Sequence, residues 1–147
     1  MMQIKRIVPF CHRVFWLSIV TMFLTFSSAY SAPSDTLQHV DAQQAKKILD
    51  KDTTVVVLDV RTPEEFKSQT GHLPRAINIP IQELEGRLKE LDKFRLRQLL
   101  VYCRSGNRSM RASAILKKQG FKLIHLDGGI LQWNSSFSPS ATEEKKK

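Results

Sequence analysis

The sequence predicts an α/β fold: a mostly parallel central sheet with helices on both faces. Three observations predict it. Apolar runs of strand length, such as residues 54–59 and 98–102, are continuous rather than alternating, which suits strands buried on both faces. Stretches with apolar residues at helical spacing stand between them. The connections are a few residues long, so strand and helix alternate in the way that gives parallel neighbours. With 147 residues the chain can bury the core of one domain and not of two.

The elements follow in order. Ala42, Ala45, Ile48 and Leu49 share one helical face, and Asp41 can cap that helix with Gln44 reaching back in a capping box. Residues 54–59 form the first buried strand. Thr62-Pro63-Glu64-Glu65 then supplies a cap, a proline for the first helical position and acids for the first turn of a short helix that ends by Gly71. A strand at 76–79 stops at Pro80. Ile81, Leu84, Leu88 and Leu91 recur at helical spacing, with Glu83 and Arg87, and Glu85 and Lys89, as outer pairs four residues apart. Residues 98–102 are the next buried strand, and Ala112, Ile115 and Leu116 mark a helix ended by Gly120. A strand at 123–126 and a helical turn at 130–133 complete the domain, which spans 37–134. Residues 135–147, rich in Ser and Lys, read as a disordered tail.

The first 32 residues read as a removed leader. Lys5, Arg6 and Arg13 precede an uncharged apolar run at 14–26, and small residues follow at Ser27, Ser28, Ala29, Ser31 and Ala32. The apolar run is short for a span of about 20 residues. Cleavage falls between 29 and 32, residues 33–36 link leader to domain, and the chain is expected to be exported to a periplasmic or other extracytoplasmic space, with no stable membrane insertion once the leader is gone. Formal net charge is +9, and no aromatic-and-basic stripe accompanies it, so the excess suits anionic small molecules rather than nucleic acid.

Of the two cysteines, Cys11 belongs to the leader, which leaves Cys103 alone in the expected mature chain. It stands where the strand 98–102 gives way to Arg104-Ser105-Gly106-Asn107-Arg108-Ser109 and the next helix. Ligands of open parallel sheets bind beyond the carboxyl ends of the strands, and a helix start offers unpaired N–H groups and partial positive charge. A thiol placed there should ionise readily. Gly106 lets the loop curl its N–H groups inward, and Arg104, Arg108 and Arg111 add positive charge.

Here the sequence resembles the rhodanese (thiosulfate sulfurtransferase) family, in its single-domain, exported form, over nearly all of the expected mature domain. Three blocks carry the resemblance. They are Leu58-Asp59-Val60-Arg61-Thr62-Pro63-Glu64-Glu65-Phe66 with Gly71-His72-Leu73-Pro74 and Ala76-Ile77-Asn78-Ile79-Pro80, then Cys103 through Ser109, then Leu126-Asp127-Gly128-Gly129 followed by Trp133. The resemblance implies a rhodanese-like fold and an active-site loop that starts at the catalytic Cys103. Arg104, Ser105, Gly106, Asn107 and Arg108 would bind substrate, and the loop N–H groups would aim at the sulfur. It also implies ping-pong sulfur transfer through a Cys103 persulfide, from a small anionic donor such as thiosulfate to a thiophilic acceptor such as cyanide or a thiol, a protein thiol included, with no cofactor and no metal.

Asp59 and Arg61 are placed near the mouth of the site as supporting residues, with tying two loops together favoured over tuning the thiolate. His72 and His125 read as structural histidines. Gly128 and Gly129 read as a tight turn and Trp133 as core cover. A noncatalytic rhodanese-like binding module stays open as an alternative. So does a phosphatase or arsenate-reductase-like enzyme, although Arg108 follows Cys103 after four residues where those relatives have five, and Tyr102 stands where they usually carry His. Ser109 occupies the place of the phosphatase arginine. A thiol-redox role lacks a resolving cysteine.

Overall fold

The computed structural model describes residues 37–137. The expected leader at 1–32, the linker at 33–36 and the tail from 138 onward lie outside the described residues. Five strands, β1 (Gln38–Val40), β2 (Val56–Asp59), β3 (Ala76–Asn78), β4 (Gln98–Tyr102) and β5 (Lys122–Leu126), form one sheet in the order β1-β5-β4-β2-β3. Every neighbouring pair is parallel, as the continuous apolar runs require.

The helices α1 (Ala42–Lys51), α2 (Pro63–Phe66), α3 (Asn107–Lys118) and α4 (Gly129–Phe137) connect or follow the strands. Side chains alternate along each strand, so the sheet buries two layers. Val56, Leu58, Leu99 and Val101 pack with Ala112 and Leu116 of α3 on one face. Val57, Leu100, Tyr102 and Ile124 pack with Ala45 and Leu49 of α1 and Ile130 of α4 on the other.

Caps fix where the helices begin. Asp41 accepts from Gln44 N–H at 2.8 Å while the Gln44 amide oxygen accepts from Asp41 N–H at 3.0 Å, the expected capping box. Thr62 and Glu65 form a second one, with Pro63 inside it.

Two expectations are corrected, and one strand is added. The segment 81–94 is a series of turns running into a 3₁₀ helix, Leu88–Phe94, rather than an α-helix. Its backbone bonds run largely three residues back, as in Glu83 N–H to Pro80 O and Glu90 N–H to Arg87 O. Gly86, a poor helix residue, sits mid-segment, and apolar residues three or four apart serve tight turns as well as an α-helix. Residues 135–137, placed in the disordered tail, are helical. Phe137 meets Trp133 one turn back edge-on at 4.9 Å, and the Ser135 hydroxyl donates to Gln132 O. Strand β1 was not expected at all, because of its three residues only Val40 is buried. Among the described residues, no helix is long and apolar enough to cross a membrane.

Candidate active site

Strand β4 is central in the sheet and delivers Cys103 just past its carboxyl end. The residue is 1% exposed. Gly106 stands at the N-cap of helix α3, and its φ of 106° is a conformation that L side chains rarely adopt. No side chain caps α3, and the sulfur of Cys103 takes the cap's place. Gly106 N–H donates to Cys103 Sγ at 3.2 Å, and the Ser109 hydroxyl reaches it at 3.5 Å. Burial pushes the Cys103 thiol up. The Ser109 hydroxyl and the N–H groups of Ser109, Gly106 and Ser105 outweigh burial and bring the thiol below its ordinary value.

The back of the loop is held by α4. Ile130 N–H donates to Cys103 O at 2.9 Å and Leu131 N–H to Arg104 O at 3.2 Å. This docking leaves no room beside Gly129, where a Cβ would run into Cys103 O and stand 2.7 Å from the Arg104 carbonyl carbon. The glycine pair thus makes the expected turn and also lets α4 approach the loop.

Arg108, in the first turn of α3, grips Glu65 of α2 with both forks of its guanidinium, at 2.6 Å each. The Arg108 hydrogen bonds hold the Glu65 carboxyl down at about 2. The same guanidinium also interacts with the Cys103 sulfur. Arg104 is exposed and has no side-chain ion pair among the described residues, and Ser105 and Asn107 are exposed as well.

Asp59 and Arg61 are fully buried and paired to each other, with Arg61 Nη2 2.7 Å from Asp59 Oδ2. Arg61 also donates to Thr70 Oγ1 and Gly71 O, so it ties the end of β2 to the loop before β3. His72 stacks on Phe66 at 4.2 Å and bonds Leu73 O, a structural placement.

A family model described as the rhodanese-like domain matches residues 41–136. The chain belongs to that family. A sulfurtransferase of Allochromatium vinosum is 34% identical to this rhodanese-family chain over 98 residues, covering 66% of this chain and 88% of that protein. The crystal structure of a rhodanese-related protein from Thermoplasma volcanium is similar with a TM-score of 0.61 at 32% identity, over 69% of this chain and 95% of that one. A tRNA uridine(34) hydroxylase of Cytophaga hutchinsonii is 34% identical over 100 residues, covering 65% of this chain and 31% of that protein. Sulfurtransferase relatives support sulfur transfer as the general class of activity of the rhodanese-like domain.

The fold thus brings Cys103, the loop N–H groups, Ser109 and Arg108 together, and sets Asp59 and Arg61 in a buried tie of their own. Sequence reasoning missed Glu65 as the partner of Arg108. It also read His125 as merely structural. His125 is 3% exposed and lies 2.9 Å from Ser109 Oγ through Nε2, while its Nδ1 lies 3.0 Å from Asp127 Oδ1. His39, the register partner of His125 on β1, bonds the same carboxylate oxygen at 2.9 Å. These two imidazole nitrogens and the carboxylate oxygen lie within 4.8 Å of one another and are joined by hydrogen bonds. The signal was present for one link, since His125 and Asp127 are two apart at a strand end and so share a side.

Proposed function

We propose that this protein moves sulfane sulfur from thiosulfate, or a similar small anionic donor, to a thiophilic acceptor through a persulfide on Cys103. The observation that carries the proposal is the Cys103 sulfur, lowered in pKa and held by the N–H donors of its own loop. A thiolate formed in advance attacks the outer sulfur of thiosulfate. The sulfur–sulfur bond of the donor breaks, and sulfite leaves with the electron pair. The acceptor, cyanide or a thiol, then attacks the outer persulfide sulfur and returns the thiolate. The loop donors stabilise negative charge on the sulfur in both steps. Burial of Cys103 favours a donor whose reacting atom is terminal and small. Among the described residues, exposed Arg104 is the loop cation without an ion pair and so is placed to attract that anion, because Arg108 is committed to Glu65.

Turnover assays test the choice of chemistry. Thiocyanate should form from thiosulfate and cyanide, while phosphate esters are turned over poorly, since a loop of four residues between Cys103 and Arg108 is short for a tetrahedral phosphate. Phosphatase turnover comparable with sulfur transfer would reverse this ranking. We also propose that the chain acts outside the cytoplasm after loss of its leader. N-terminal sequencing of the exported protein should then begin between Tyr30 and Pro33, and a membrane-bound chain still starting at Met1 would contradict it.

A further inference from the structure

A continuous hydrogen-bonded path leads from the buried sulfur to the surface. It runs from Cys103 Sγ to Ser109 Oγ at 3.5 Å, to His125 Nε2 at 2.9 Å, from His125 Nδ1 to Asp127 Oδ1 at 3.0 Å, and on to His39 Nδ1 at 2.9 Å. Ser109 and His125 are buried, whereas His39 and Asp127 have about half their side-chain surface in solvent, 47% and 50%.

His125 Nε2 stands 2.9 Å from Ser109 Oγ and 3.1 Å from Gly106 O, while the Ser109 hydroxyl donates to Gly106 O at 2.8 Å and reaches Cys103 Sγ at 3.5 Å. The one hydroxyl proton of Ser109 can thus turn between the carbonyl, the imidazole and the sulfur. The His39 and His125 hydrogen bonds keep the Asp127 carboxyl below its ordinary value. His125 Nδ1 faces that carboxylate, which only accepts, so Nδ1 is the nitrogen that donates. This leaves Nε2 turned toward Ser109, in place to take a proton through its hydroxyl.

We propose that His125, acting through Ser109, takes the proton of the Cys103 thiol and holds the pair as thiolate and imidazolium. The S–H bond breaks as its proton passes to Ser109 Oγ, and the hydroxyl's own proton passes to Nε2, so one N–H bond replaces one S–H bond with no outside base. His125 is a positioning residue in this scheme, since Ser109 alone touches the sulfur. The groups around its ring are His39 from β1, Asp127 beyond the end of β5, Ser109 from α3 and Gly106 of the loop. Arg108, which also faces the sulfur, is neutralised by Glu65. The inference rests on the thiolate chemistry proposed above, but its readout does not require sulfur transfer.

The test is the pH dependence of Cys103 alkylation by iodoacetamide in the full chain, followed by mass spectrometry on the Cys103 peptide so that Cys11 does not contribute. His125→Gln keeps an N–H donor for Ser109 but cannot hold the proton. It should show a single step displaced upward by about one pH unit, with alkylation near neutral pH about tenfold slower. Ser109→Ala, which removes the path and also the hydroxyl's own bond to the sulfur, should displace the profile at least as far. If His125→Gln fails to fold, His125→Asn, which also cannot hold the proton and leaves Ser109 in place, decides in its stead. Profiles of folded variants that coincide with the wild type overturn the inference, even where thiosulfate still adds sulfur to Cys103. Displaced profiles with no sulfur uptake by the wild type would sustain it and sink the persulfide reading instead.

Discussion

At the scale of single residues, the thiol and the buried ion pair do different work although both follow buried strands. Cys103 substitutes for a helix cap, so the donors that would have ordered α3 are spent on a sulfur. That much was legible, because a cysteine between a strand and a glycine-containing helix start constrains its own surroundings. Asp59 and Arg61 were legible as a loop tie, but their anchors Thr70 and Gly71 were not, being nine and ten residues from Arg61. Removing one partner leaves an uncompensated charge at a site 0–1% exposed. Asp59→Ala should therefore cost about 3–5 kcal/mol, read as a lowered urea midpoint with an unchanged slope. A midpoint equal to that of the wild type would return Asp59 to a tuning role.

At the scale of elements, sequence patterns that act over three or four residues were read correctly. Both helix starts and the doubly buried strands depend on neighbours within one turn or one strand. The segment 81–94 was misread because its apolar spacing does not separate an α-helix from successive tight turns. The contact between α2 and α3 was invisible, since Arg108 lies 43 residues from Glu65. It makes a pH-dependent tie. The Glu65 carboxyl, held at about 2 against an ordinary 4.5, contributes stability that is fully present above its unfolded value and is lost as pH falls through about 2. With solvent screening of a half-buried pair, that contribution is about 1 kcal/mol. Glu65→Gln should thus be less stable than the wild type above pH 4.5 and converge with it near pH 2. A constant difference across thermal melts in that range would show that the pair is not what Glu65 supplies.

At the scale of the whole molecule, parallel order and two-sided burial followed from the alternation of elements, whereas the path from Cys103 to His39 required the sheet itself. Strand β1 adds beside β5, and only that register sets His39 against His125 and against Asp127, the latter 88 residues away in the chain. A three-residue edge strand with one buried side chain leaves little pattern to read. The sheet also puts β4 in the middle, which gives the sulfur its helix start, its loop and its backing by α4. All of this serves one claim, that Cys103 carries sulfur. The direct measurement is the intact mass of the protein after thiosulfate, compared with Cys103→Ser. The wild type should gain one sulfur atom, about 32 Da, and lose it again to cyanide, while the nearly isosteric serine variant folds and gains nothing. A wild-type mass that never moves, or a serine variant that still takes up and delivers sulfur, would contradict the account.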